Sequence, residues 1–95
     1  MKTIYAIYDR KTNSVELVKE AVNISAFERW FATVFLRGDG MFALYPDDYD
    51  IYELCSFDPE TLKVDADRGS VLNCSVSDLF DVFKIPRPNV APSGE

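Results

Sequence analysis

The side chains most often used in catalysis are sparse in this sequence. Histidine, the commonest general base near neutral pH, is absent from all 95 residues. Asp47, Asp48 and Asp50 form a dense group of carboxylates, but the glycine and distal glutamate of a calcium loop do not follow them. Because they come directly after Pro46, the group is more typical of a turn. The segment from Gly38 to Gly40 lacks the spacing and the lysine of a phosphate-binding loop. These patterns predict a protein with no metal, no cofactor and no enzymatic activity.

The two cysteines, Cys55 and Cys74, do not have the spacing of a zinc site. In a chain without secretory features, two such residues are more often reduced thiols than a disulfide. We therefore expect two free, partly buried thiols.

Aromatic and basic side chains supply the candidate for nucleic-acid binding. Exposed tyrosines on strands can stack on unpaired bases, and nearby arginine or lysine side chains can contact phosphates. The candidate residues are Tyr5, Tyr8, Arg10, Lys11, Arg29, Arg37 and Tyr49, and Tyr52 is a further tyrosine on a predicted strand. The alternative is that the tyrosines pack in or around the core and the basic residues are merely solvated. A net charge of −6 favours this alternative, because it opposes strong affinity for DNA.

The strands that must position these residues form two predicted hairpins. The first joins residues 3–9, rich in Ile and Tyr as a largely buried strand is, to a returning strand that includes Val15 and Leu17. The second joins residues 50–57 to residues 62–66 across a turn at Asp58 and Pro59. Residues 71–74 are compatible with a brief edge strand, and residues 67–70 with a further turn.

An amphipathic helix between the hairpins is the strongest periodic signal. Ser25 and Glu28 fit a capping box, and Asn23 is a rival cap that would pair Val22 with Phe27 in a hydrophobic staple. An apolar face recurs at helical spacing: Phe27, Trp30, Phe31, Val34 and Phe35. Glu28, Arg29, Ala32 and Thr33 occupy the other face. Gly38 and Gly40 are expected to end the helix, one of them in a left-handed conformation. Residues 41–44 read as a short apolar link beneath it.

The last third of the chain predicts a short helix and a tail. Ser75 or Ser77 can cap a helix over residues 78–84, which must end before Pro86. Residues 86–95 contain three prolines and are predicted to be a flexible tail. The predicted fold is a single α+β domain, residues 1–85, with a small antiparallel sheet of about four strands packed against one helix.

Composition restricts the class of protein further. A chain of 95 residues that is 47% hydrophobic is long enough for one modest core. No signal peptide and no membrane span is evident, so a cytosolic protein is expected. A sheet with one helix covers one of its two faces, which leaves the other face for a homodimer or another protein partner.

Three features resemble a known family. The first is the opening strand Ile4-Tyr5-Ala6-Ile7-Tyr8-Asp9, and the second is the helix containing Ala26-Phe27 with a later Phe42. The third is Tyr45-Pro46-Asp47-Asp48-Tyr49 running into Tyr52-Glu53-Leu54 and Phe57-Asp58. In this order, over residues 4–66, they are similar to the small non-structural protein of gokushoviruses, which are single-stranded DNA phages of the microvirus group.

This resemblance implies a non-structural protein made in the cytoplasm of the infected host. Its expected role is in viral DNA replication or the switch to single-stranded genome production, by binding single-stranded DNA or the replication machinery, such as the phage replication initiator. The alternative is a protein-interaction factor that binds and modulates a host protein, for which an acidic surface can mimic nucleic acid.

Overall fold

The computed structural model describes residues 1–88 as the expected α+β fold, with an antiparallel sheet on one side and short helices on the other. The strands are β1 (Lys2–Asp9), β2 (Ser14–Ala21), β3 (Tyr49–Phe57), β4 (Val64–Asp65) and β5 (Val71–Ser75). The helices are α1 (Ile24–Phe31), α2 (Met41–Leu44) and α3 (Val76–Val82). A π-helical turn (Ala32–Leu36) follows α1, and a 3-10 turn (Pro46–Asp48) precedes β3. We refer to α1, α2, α3 and the π-helical turn as the helical layer.

Strand β1 is central in the sheet. It pairs antiparallel with β2 on one side and with β3 on the other. The outer edge of β3 is shared, because β5 pairs with residues 50–53 and β4 pairs with Ser56 and Phe57. Both predicted hairpins are therefore confirmed, and the predicted edge strand is the fifth strand of the sheet.

Helix α1 begins at the rival cap. The Asn23 side chain accepts a hydrogen bond from the Ala26 backbone N–H at 2.8 Å, and Asn23 itself has an extended backbone. Ser25 lies inside the first turn and is exposed, so the capping box predicted for it is wrong. An unpaired N–H in the first turn explains why an Asx side chain is preferred one residue before the helix.

The π-helical turn changes which residues face the core. One extra residue in that turn rotates every later side chain relative to a regular helix. Leu36 is consequently buried and Val34 exposed, and Ala32, the first residue of the turn, is buried as well. The prediction places Val34 on the apolar face and Ala32 on the polar one, and both placements are wrong. For Val34 the reason is that the prediction assumes a constant helical period.

The glycine-rich link behaves differently from the prediction. Among the described residues the one glycine with a positive φ is Gly69, at 68°, in the turn before β5. Gly40 instead has an extended backbone and precedes α2. The left-handed helix end predicted at Gly38 or Gly40 is therefore wrong. The apolar link predicted over residues 41–44 is a turn of helix that buries Ala43.

Aromatic rings join the helical layer to the sheet. The Phe27 ring of α1 lies 5.0 Å from the Tyr5 ring of β1, and the Phe42 ring of α2 lies 4.8 Å from the Tyr49 ring of β3, centroid to centroid. Phe31 connects the two contacts, since its ring is 5.9 Å from Phe27 and 5.1 Å from Phe42. Burying each large side chain contributes about 1.5–3 kcal/mol, so this cluster is the main stabilising feature.

Helix α3 closes the other end of the core. Ser75 and Asp78 form a capping box at its start, so it begins before the predicted residue 78. Arg87 donates two hydrogen bonds from Nη2 to Ser77, to the carbonyl oxygen at 3.3 Å and to Oγ at 2.7 Å, and its guanidinium lies over the Phe80 ring. Contacts to the domain therefore continue into the predicted tail. The rest of that tail, residues 89–95, lies outside the described residues.

The cap at Asn23 gives a direct stability test. Asn23→Ala should lower the free energy of unfolding by about 0.5–2 kcal/mol, because one first-turn N–H loses its acceptor. Ser25→Ala, the matched control two residues later, should stay within about 0.5 kcal/mol of the wild type. Urea unfolding followed by circular dichroism measures both, and a larger loss for Ser25→Ala would contradict the assigned helix start.

Candidate functional site

The two sides of the sheet carry different residues. In β1, Tyr5 and Ile7 point to the helical layer and are buried in the core. Ala6 and Tyr8, which alternate with them, must point to the opposite side. Directly paired residues on neighbouring strands share a side, so the strand register extends this assignment over the sheet.

The side away from the helices is here called the open face. Its apolar surface comes from four cross-strand rows and one bulge residue: Val18, Ala6, Tyr52 and Leu72 in the central row, Val15 and Tyr8 in the row next to it, Ile4 and Cys55 in the row on its other side, Phe57 and Val64 in the row at the far end, and Leu54 at the β3 bulge. Exposed fractions are 56% for Val18, 54% for Leu72 and 49% for Val15. These three aliphatic side chains are therefore in contact with water, although aliphatic side chains are usually buried.

A cavity of about 390 Å³ lies in the middle of the open face. Ala6, whose side chain is too small to fill the space, sits at its base, and the Tyr8 and Tyr52 rings meet edge to face with centroids 5.9 Å apart. The lining residues are Ala6, Tyr8, Val15, Tyr52, Leu54 and Ser70. The cavity is therefore mainly aromatic and aliphatic, and its hydroxyl groups are those of Tyr8, Tyr52 and Ser70.

The polarity of the sheet is inverted along the second half of β3. That half contributes nothing to the core, in which β3 is represented by Tyr49 and Ile51. The register places polar residues on the helix side and apolar residues on the open face: Thr3, Glu53 and Ser56 on the former, and Ile4, Cys55 and Phe57 on the latter. A sheet whose open side were meant to stay in water would have the opposite arrangement.

Charged groups of the open face are paired. Lys2 Nζ lies 3.1 Å from Glu20 Oε2 at one end, and Arg10 Nε lies 3.4 Å from Asp50 Oδ2 at the other. The net charge of these four side chains is zero, although the whole chain carries −6. The face is thus an apolar strip with one ion pair at each end.

The predicted nucleic-acid residues are not brought together. Tyr5 and Tyr49 are 2% and 4% exposed, on the helix side, so neither ring offers a surface to a base, and the core alternative holds for these two. Tyr8 and Arg10 are on the open face. Lys11 is in the turn between β1 and β2, while Arg29 lies on α1 and Arg37 just after the π-helical turn. The basic residues are therefore spread over both sides of the molecule.

Sequence reasoning missed the aliphatic part of the open face. No binding role is predicted for Val15, Val18 or Leu54. Val15 and Leu54 are predicted only as strand residues, and residues 18–22 are ambiguous in sequence between a strand end and a turn of helix. The available signal was β1 itself, whose run from Ile4 to Ile7 lacks the alternation of a strand with one wet side.

Residues 1–88 contain neither a cluster of metal-ligating side chains nor a membrane-spanning helix. There, no three His, Cys, Asp or Glu side chains are grouped closely enough to hold a metal ion. Asp47 and Asp48 belong to the 3-10 turn. Over the same residues, no helix combines the length and the apolar character needed to cross a bilayer.

Family comparison matches residues 2–79 to the model described as phage ORF5 protein. The chain belongs to the phage ORF5 protein family. The match includes all five strands, α1 and α2, and hence the whole open face. No curated protein and no solved structure matches the chain.

The thiols of this phage protein lie on different sides of the sheet, and both are free as expected. Cys55 is on the open face, whereas Cys74 pairs with Ile51 on the helix side and its Sγ donates to Glu28 Oε2 at 3.6 Å. Burial, followed by the nearby Glu28 carboxylate, raises the pKa of Cys74 to about 12. Burial also raises the pKa of Tyr5 and of Tyr49. Cys74 is thus held as a neutral thiol and is not a nucleophile at neutral pH.

The raised pKa of Cys74 predicts a loss of stability in alkali. An unfolded cysteine ionises near pH 8.5, so the stabilisation is complete below that pH and is lost as pH rises towards about 12. The free energy of unfolding should fall above about pH 8.5, and Cys74→Ala should flatten this fall. Cys55→Ala, on the other side of the sheet, is the control and should retain it. An equal slope for wild type and Cys74→Ala in urea unfolding at several pH values would refute the assignment.

Proposed function

We propose that this phage accessory protein acts in viral DNA replication, or in the switch to single-stranded genome production, by docking on a protein of the replication machinery. The open face is the docking surface, and the protein works by binding rather than by catalysis in the host cytoplasm. Membership of the phage ORF5 family supports the phage role. The replication context rests on the resemblance to the small non-structural protein of gokushoviruses.

The observation that carries the docking surface is the apolar, charge-paired character of the open face. Interface cores are depleted of net charge and enriched in aromatic side chains, and this face has both properties. Tyr8 and Tyr52 border its cavity, while its ion pairs stand at the two ends, where an interface has its polar rim.

Single-stranded DNA is the second candidate ligand, and one observation favours it. Tyr8 and Tyr52 are partly exposed side by side, as base-stacking aromatics are. The cations required for phosphate contacts are less suitable, because Arg10 is paired with Asp50 and Lys2 with Glu20. A phosphate would have to displace a carboxylate of the protein at each site. Docking on protein is therefore the better supported function.

Capture from phage-infected cells tests this proposal with one matched pair of variants. Val18→Glu places a carboxylate in the central row of the open face. Val34→Glu makes the same change on the π-helical turn, at a nearly equal exposure of 55% against 56%. The immobilised wild type and Val34→Glu should retain the phage replication initiator, and Val18→Glu should retain it at least about tenfold less, as expected for a residue in an interface core.

Two results would contradict the proposal. Retention of a host protein in place of any replication protein would support the alternative of a host-directed factor. A DNA affinity that falls steeply with salt, measured in parallel on a single-stranded oligonucleotide, would indicate phosphate contacts and move the function to DNA binding.

A further inference from the structure

We infer that a second copy of this chain covers the open face when no other partner is bound. The inference rests on the proposed function in one respect, namely that the open face is the binding surface. The open faces of two copies pack against each other, which makes a face-to-face homodimer of two sheets.

The size of the face suits such a dimer. Strands β2, β1 and β3, with β4 or β5 beside them, make it four strands wide, and β1 and β2 are eight residues long. With strands about 4.8 Å apart and about 3.3 Å per residue, its flat area is about 500 Å². Two copies would bury about 1,000 Å² together, which reaches the area of a specific interface. A face of about 500 Å² lies within the size range of the largest patches on monomers, which are often functional.

The shape of the face allows a second copy to pack on it. Its central row contains both a recess and projections, since the cavity lies over Ala6 while Val18 and Leu72 at the two ends of the row are more than half exposed. In a two-fold arrangement each copy meets the same surface of the other. The aliphatic projections of one copy can then enter the recess of the other, as in sheets that stack about 10 Å apart.

The paired charges of the open face favour a second copy of the chain over nucleic acid as its partner. Two chains of net charge −6 repel each other, but the surfaces that would meet are apolar and their four charged strand-end groups are already neutralised in pairs. Apolar contact needs no complementary charge from the partner, whereas a polyanion needs cations that this face has engaged with carboxylates. The acidic groups of the helical layer would remain on the outside of the dimer.

A consequence is competition for one surface. A replication protein that docks on the open face must displace the second copy, so its apparent affinity depends on the concentration of the phage protein. The homodimer would keep the apolar strip out of water until that exchange occurs.

Sedimentation equilibrium of the purified chain tests the inference. The wild type should approach twice the 10.8 kDa chain mass as its concentration rises through the micromolar range. Val18→Glu should weaken the association at least about tenfold, and Val34→Glu should leave it unchanged. Circular dichroism and urea unfolding of each variant confirm that the loss is not one of folding. Added salt should leave the dimer unchanged or strengthen it, because screening reduces the repulsion between the two acidic chains.

A wild type that stays monomeric over this range would overturn the inference, and so would equal weakening by Val18→Glu and Val34→Glu. A dimer that dissociates as salt is added would show that charge, and not the apolar strip, holds it. These outcomes are separate from those of the capture experiment. A monomer that still retains the replication initiator through Val18 contradicts the second copy alone, and a dimer that retains no replication protein contradicts the proposed function alone.

Discussion

Aromatic packing between the helical layer and one side of the sheet is the interaction on which the rest of the structure depends. The Tyr5 ring of β1 packs against the Phe27 ring of α1, and the Tyr49 ring of β3 packs against the Phe42 ring of α2. Because ring contacts of this kind need close and specific geometry, they fix α1 and α2 on the same side, and Val76, Leu79 and Phe80 of α3 pack into the same core. The other side of the sheet receives no cover from residues 1–88.

Because the helices cover only one side of the sheet, the apolar side chains of the open face remain exposed. A small domain has little apolar surface to spare, and leaving Val15, Val18 and Leu72 in water forgoes about 25 cal/mol for each Å² that could have been buried. In the second half of β3, polar residues face the helix side and apolar residues face the open side, which is the opposite of the arrangement expected for an isolated domain. Burial of the apolar strip by association would explain both the exposed aliphatic side chains and the outward-facing apolar residues of β3. Neither feature stabilises the isolated chain.

Much of the fold was predictable because the signals were local. The hairpins followed from β-forming runs bounded by turn residues, and the main helix from the spacing of Phe27 and Phe31. The errors arose where a tertiary or backbone feature overrode a local pattern. Asn23 and Ser25 both fit a cap, and only the chain path decides between them. The single extra residue of the π-helical turn places Val34 outside and Leu36 inside, which no regular period can anticipate.

The site was harder to predict than the fold for a related reason. Tyr5 and Tyr8 are the same type of residue on the same strand, and their side chains point to opposite sides of the sheet. Which of them is buried depends on which side of β1 the helices cover, and the local sequence does not show this. The basic residues were no guide to the site either. Arg29 lies on α1 and Arg37 just after the π-helical turn, while Arg10 is paired with Asp50. Long-range pairing brings Leu72 next to Tyr52, and that contact has no signature in the sequence near either residue.

Hydroxyl-radical footprinting of the unmodified chain tests most directly whether the open face is an association surface. The oxidation of Tyr52 and Phe57 should decrease between dilute and concentrated solution, while Tyr45, which is exposed in the segment between α2 and the 3-10 turn, should be oxidised equally in both. Equal oxidation of Tyr52 at the two concentrations, or protection of Tyr45 in its place, would contradict the account.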